Sequence, residues 1–153
     1  MSSTVTSTTF FLDLIETIDI NGVKQQAVKK MTKNSVTDYN HRILTLAANS
    51  TSTLITLGAG NEGGQATADD IQYIRVSNLD DETSIRLIIE LTDGANGSFH
   101  LEIPALQSHL VSTKQAVIVP NAGAFGDYGT ISKLKAVTPV GSTVDVELFL
   151  ISK

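Results

Sequence analysis

The side chains that could carry chemistry are few, and their spacing limits what they could do. His41, His100 and His109 are the only imidazoles in the chain. No two stand at the i, i+2 or i, i+4 separations that put a pair of ligands on one face of a strand or helix, so a zinc site would need distant segments to converge. His100 falls on the polar parity of a strand pattern and reads as an exposed sheet-face residue. The runs Asp69-Asp70 and Asp80-Asp81-Glu82 bracket one strand pattern and offer oxygens to a hard cation such as calcium. Neither matches a calcium loop, and turn carboxylates that cap nearby N–H groups are the simpler reading. Gly58-Ala59-Gly60-Asn61-Glu62-Gly63 satisfies G-x-G-x-x-G. A dinucleotide site of that kind needs a helix opening at the third glycine, where N–H groups and the helix dipole meet the pyrophosphate. Here a strand pattern restarts at Ile71, which leaves no room for a crossover helix, so the segment reads as a glycine loop. With no cysteine there is no thiolate nucleophile and no disulfide, and no nucleophile elbow, zinc-protease motif or phosphate loop occurs. The expectation is a non-enzymatic chain with no catalytic residue, cofactor or metal.

The elements that would position these residues are strands. Ile85, Leu87, Ile89 and Leu91 alternate with Arg86, Glu90 and Thr92, with Ile88 as the exception, and this period of two marks a strand with one dry face. Phe99, Leu101 and Ile103 alternate with Ser98, His100 and Glu102, and Val144, Val146, Leu148 and Leu150 alternate with Thr143, Asp145 and Glu147. Near the N-terminus Phe10, Leu12, Leu14, Ile18 and Ile20 share one parity, with Asp13, Thr17 and Asp19 on the other and Glu16 breaking the pattern, so a long or bulged strand is expected. Asn21-Gly22 tolerates positive φ at both centres of a type I′ turn and predicts a hairpin. Two more hairpins are expected at Asp93 to Gly97 and at Thr138-Pro139-Val140-Gly141. Tyr39–Ala47, Thr51–Leu57, Ile71–Asn78, Gln115–Val119 and Ile131–Val137 complete the strand candidates, while Ala105–Ser112 reads either as a short helix or as an extended crossing. The expected fold is all-β: an antiparallel, jelly-roll-like β-sandwich of about eight to ten strands. Residues 1–9 read as a flexible or edge-strand arm, and residues 10–153 as a single sandwich domain.

Composition agrees with one core and restricts the partners. The chain has 153 residues, 41% of them hydrophobic and 18% charged, enough apolar surface to offset the entropy of ordering one domain. A net charge of -5 and a pI near 5.0 are the wrong sign for nucleic acid or an anionic membrane surface, and neither is expected as a partner. Ile85–Leu91, the most apolar stretch, is far below the roughly 20 residues that span a bilayer. The opening residues lack the basic and apolar layout of a secretory leader. Within this acidic chain Val23–Lys33 holds Lys24, Lys29, Lys30 and Lys33, four of the eleven basic residues. They could face an acidic partner, or they could guard an edge strand against aggregation.

Four segments carry a resemblance. Ile71–Asp80, Ser84–Glu90, Ser98–Pro104 and Thr143–Ile151 resemble, in strand order and style, the small β-sandwich virion proteins of tailed bacteriophages, nearest to capsid decoration, or cement, proteins. The resemblance covers roughly Ile71 to Lys153. It implies a virion protein on the capsid surface that binds the major capsid protein and bridges subunits of the outer lattice, as a homo-oligomer with a trimer favoured. The contact residues expected for that role are Thr4, Val5 and Thr6 in the arm and Lys24, Lys29, Lys30 and Lys33 in the hairpin. The alternative is a tail or fibre module that binds host glycans. It is disfavoured by the absence of tryptophan and by only three tyrosines, Tyr39, Tyr73 and Tyr128, since sugar sites rely on aromatic platforms.

Overall fold

The computed structural model describes residues 8–57, 71–91, 97–111, 131–138 and 141–152, and within them every regular element is a strand. In chain order these are β1 (Thr8–Ile20), β2 (Val23–Val36), β3 (Asp38–Leu46), β4 (Thr51–Thr56), β5 (Ile71–Asn78), β6 (Ile85–Leu91), β7 (Ser98–Ile103), β8 (Ser108–Val111), β9 (Ile131–Val137) and β10 (Val144–Ser152). Two four-stranded antiparallel sheets form, ordered β3-β10-β5-β8 and β4-β9-β6-β7, and β1 and β2 make a separate two-stranded ribbon.

The pairing is nested. β6 pairs with β7, β5 with β8, β4 with β9 and β3 with β10, as though one long hairpin had been wrapped over itself. Two further ladders, β10 with β5 and β9 with β6, join the nested pairs into sheets. This is the jelly-roll sandwich, and it agrees with the fold read from the alternation. The inward parity of each strand fills one core: Ile85, Leu87 and Ile89 of β6, Leu134 and Ala136 of β9, and Val146, Leu148 and Leu150 of β10 are all essentially inaccessible to water. Ile88, the exception in the β6 pattern, lies on the outer parity, where it pairs with His100 and Lys135.

Nesting also decides what the connections do. The segments 79–84, 104–107 and 138–143 carry the chain from one sheet to the other, so each is a crossing between layers. The turn at Thr138–Gly141 is therefore not a hairpin: β9 and β10 belong to different sheets, although the Gly141 φ of 94° does mark the chain reversal. Of the segment Ala105–Ser112, the described residues 105–111 form a turn and then a strand, not a helix. Pro104 precedes a tight turn in which Gln107 N–H donates to the Pro104 carbonyl at 3.2 Å and Leu106 takes a φ of 57°, and β8 follows at once. The candidate strand at 115–119, the glycine loop at 58–63 and the pair Asp69-Asp70 lie outside the described residues.

Buried polar side chains fasten these crossings. Asn78 donates from Nδ2 to the carbonyls of Thr83, Ile103 and Pro104 at 2.7, 3.2 and 3.2 Å, and its Oδ1 accepts from Asp80 N–H at 3.1 Å. One residue thus ties the 79–84 crossing to the 104–107 crossing. Thr138 likewise ties the 138–143 crossing to the 47–50 connection between β3 and β4, donating from Oγ1 to the Ala47 carbonyl at 2.8 Å.

Candidate interaction surface

The β1–β2 ribbon is built by its turn and by its register. Asn21 and Gly22 take φ values of 54° and 81°, the two positive centres that a type I′ turn demands, and Gly22 N–H donates to Asp19 Oδ1 at 2.9 Å. The ladder then runs without a break from Ile20↔Val23 to Phe10↔Lys33, and the irregularity lies between Thr8 and Phe10 at the base. Thr8 and Thr9, the end of the expected arm, already belong to β1, whereas Thr4, Val5 and Thr6 lie outside the described residues.

Side chains of one parity share one face of the ribbon. The first face carries Phe10, Leu12, Leu14, Glu16, Ile18 and Ile20 with their partners Lys33, Met31, Lys29, Ala27, Gln25 and Val23. At its base Phe10, Leu12 and Met31 pack with Val36, the last residue of β2, on Tyr73, Phe149 and Ile151, outward side chains of the β3-β10-β5-β8 sheet. The Phe10 ring centroid lies 5.3 Å from Tyr73 and 6.0 Å from Phe149, separations at which aromatic rings attract. Beyond this base the ribbon leaves the body, and every residue from Asp13 to Lys30 is exposed. Eight residues per strand at about 3.3 Å each give a projection of about 25 Å. Along it the first face continues as Leu14, Ala27, Ile18, Ile20 and Val23, an apolar stripe that crosses from β1 to β2 at Ala27 and is flanked by Lys29, Glu16 and Gln25. The second face is mixed, with Ile15 opposite Val28, Asp13 opposite Lys30 and Asp19 opposite Lys24.

The register also divides the four lysines. Lys29 and Lys33 lie on the first face, and Lys24 and Lys30 on the second, where Lys30 Nζ stands 3.8 Å from Asp13 Oδ2. They form no single basic patch. The hairpin was legible from Asn-Gly and the parity of Phe10 to Ile20; the faces of the lysines follow only from a register counted back from the turn.

Beside the ribbon's base the outer face of the β3-β10-β5-β8 sheet carries a charged cluster. Glu147 receives Arg75 Nη2 at 2.6 Å on one oxygen and faces His41 Nε2 at 2.8 Å on the other. Burial by itself would raise the Glu147 carboxyl, but the His41 contact, the Arg75 charge and a Ser77 hydrogen bond outweigh it and hold the pKa below the ordinary value. Arg75 also lies 5.8 Å from the centroid of the Phe149 ring. Burial raises the Tyr73 hydroxyl, Arg75 partly offsets this, and Glu147 adds to the rise. At the sheet edge, on the same outward parity, Tyr39 and Ile43 of β3 remain 70% and 60% exposed.

The other chemistry-bearing residues are placed apart. Asp80 Oδ1 accepts from the N–H groups of Glu82 and Thr83 at 3.0 and 2.6 Å, the capping role expected of it, and these bonds lower its pKa. His100 is exposed on β7, with Nε2 3.2 Å from Ser98 Oγ. It borders a shallow groove with Arg86, Glu102 and Ser142 at the mouth of the 79–84 crossing. The Ser98–His100 pair lies open to water on an edge strand. His41 and His109 stand on β3 and β8, with His109 opposite Val76. Among the described residues no three His, Asp or Glu side chains group closely enough to hold a metal ion. No helix among them is long and apolar enough to cross a membrane. Comparison with known protein families, curated proteins and solved structures finds no match for this chain.

Proposed function

We propose that this chain is a non-enzymatic structural protein that binds neighbouring protein surfaces through its projecting hairpin. In the setting implied by its sequence resemblance, it is a virion protein that seats on the outer capsid lattice of a tailed phage and bridges major capsid subunits. The observation that carries the binding role is the first face of the β1–β2 ribbon, whose apolar side chains run from Phe10 at the base to Ile20 and Val23 at the tip, flanked by Lys29, Glu16 and Gln25, but are covered by the chain's own body only at Phe10, Leu12 and Met31. A lone two-stranded ribbon is marginal in water, and a long apolar face without cover is the signature of a contact made with another molecule. The capsid setting rests on the four resembling segments, which are the strands β5, β6, β7 and β10. Jelly rolls recur in viral capsid domains, and that point is an analogy at the level of fold.

Mass spectrometry of intact virions from the encoding system tests the setting: the chain is expected at stoichiometric abundance, and its absence ends the virion reading. Binding of purified chain to particles stripped of it tests the surface. Ile18→Asp is expected to reduce binding at least tenfold, and undiminished binding refutes the hairpin's role.

A further inference from the structure

We propose that the apolar face of the hairpin is covered by a second copy of this chain, packing Leu14, Ile18 and Ile20 onto the open sheet face at Tyr39 and Ile43 of the neighbour. The inference rests on the reading of the hairpin as a protein-binding element and names its occupant. Three observations favour self-association.

The first is continuity. On its own body the base of this face already packs against the outward side of the β3-β10-β5-β8 sheet, through Phe10 on Tyr73 and Phe149. The same outward parity continues across the sheet to the edge strand β3, where Tyr39 pairs with Ile151 and Ile43 with Glu147. The chain's own hairpin covers Tyr73, Phe149 and Ile151 on that sheet face and leaves Tyr39 and Ile43 of β3 open. A neighbour's hairpin laid on the open half would repeat the aromatic and aliphatic packing seen at the base.

The second is charge. Residues 8–36 hold four lysines against Asp13, Glu16 and Asp19, a balance of +1, which leaves -6 on the rest of a chain whose total is -5. Two whole copies repel, but the hairpin of one is attracted to the body of the other. The match extends to single residues. Lys29 lies on the apolar face beside Leu14, and the exposed Asp145 stands on β10 two residues from Glu147, on the same outward parity as Ile43.

The third is area. Leu14, Ile18, Ile20 and Val23 are between 43% and 60% exposed, which is roughly 400 Å² of open surface at about 200 Å² for a fully exposed large side chain. A stable interface needs about 800 Å² from each partner. One hairpin face therefore falls short alone. In a two-fold dimer each copy gives a hairpin face and receives one on its sheet within a single interface, and the area on each side doubles to the standard size.

The chain has no cysteine, so introduced thiols report the contact without background. Ile18→Cys chain and Ile43→Cys chain are purified separately, mixed and mildly oxidised, with Ile88→Cys, on the outer face of the other sheet, as the control partner. The predicted product is a disulfide between Ile18→Cys and Ile43→Cys chains at several times the yield of the Ile18→Cys with Ile88→Cys pair. Equal yields, or an Ile18→Cys homodimer as the main product, overturn the proposal. In parallel, Lys29→Asp should weaken self-association at least tenfold, with recovery when it is mixed with Asp145→Lys; no weakening also overturns it. A chain that stays monomeric yet binds stripped particles through Ile18 refutes the second copy as occupant while the binding role stands. A chain that self-associates but never binds particles does the reverse.

Discussion

Replacing Asn78 should unfasten the end of the sandwich at which the chain crosses between sheets. Asn78 is 1% exposed, and its Nδ2 serves three carbonyls, those of Thr83, Ile103 and Pro104, while Oδ1 serves the Asp80 N–H. Asn78→Ala removes all four contacts at once. The Ile103 bond is fully buried, whereas the others are partly buried and regain some water. A buried polar group left without a partner costs about 1–3 kcal/mol, and the small cavity adds to this, so a total loss of about 2–4 kcal/mol is expected. Asn78→Asp should cost at least as much at neutral pH, because it sets a carboxylate against three carbonyl oxygens, and part of its cost should be relieved as that carboxyl protonates on acidification. The assay is urea unfolding followed by circular dichroism. The midpoint should fall with an unchanged slope, since the unfolded surface is the same. A loss below about 0.5 kcal/mol for Asn78→Ala would refute the view that this side chain fastens two crossings.

Other outcomes are fixed by the same contacts. Leu87→Ala, at a fully buried position between the sheets, should cost about 2–5 kcal/mol, whereas Ile18→Ala, 56% exposed on the hairpin, should cost under about 0.5 kcal/mol in dilute solution; chemical denaturation of both checks the contrast. Glu147 has a lowered carboxyl pKa, so its contribution is present above the unfolded carboxylate value and is lost as pH falls through the lower folded value. Glu147→Gln should therefore lower the melting temperature at pH 7, and the gap to the parent chain should narrow on acidification below about pH 4. An equal gap at pH 7 and at pH 3 would contradict the contacts from His41 and Arg75.

The sandwich was readable because its signal is local. The alternation of Ile85 to Leu91 and of Val144 to Leu150 states which side chains are dry, and a half-buried antiparallel strand is the one element with that period. Sheet order is not local. Nothing in Thr138-Pro139-Val140-Gly141 distinguishes a hairpin from a crossing, because both need a chain reversal; the difference is which distant strand β10 pairs with. β8 has four residues, Ser108–Val111, too few for a period to register, and Leu106 shows none of the usual preference for its positive φ. At the candidate site the parity of Phe10, Leu12, Leu14, Ile18 and Ile20 was legible, but an alternating strand is ordinarily taken to hide its apolar side. That this one leaves the body beyond Leu12 follows only from the two-stranded pairing. The charged cluster of His41, Arg75 and Glu147 joins strands far apart in sequence and carried no signal in any one of them.

The proposed binding role requires that the outer half of the hairpin serve another molecule and not its own fold. Deleting residues 15–18 and 25–28 together keeps the Asn21-Gly22 turn, the ladder and the alternation, and shortens only the projection. Light scattering on the full chain should then give a multiple of 16.3 kDa, and on the shortened chain 16.3 kDa less the deleted residues, with melting temperatures in dilute solution that agree within a few degrees. A shortened chain that melts far lower, or one that still self-associates as the full chain does, would contradict it.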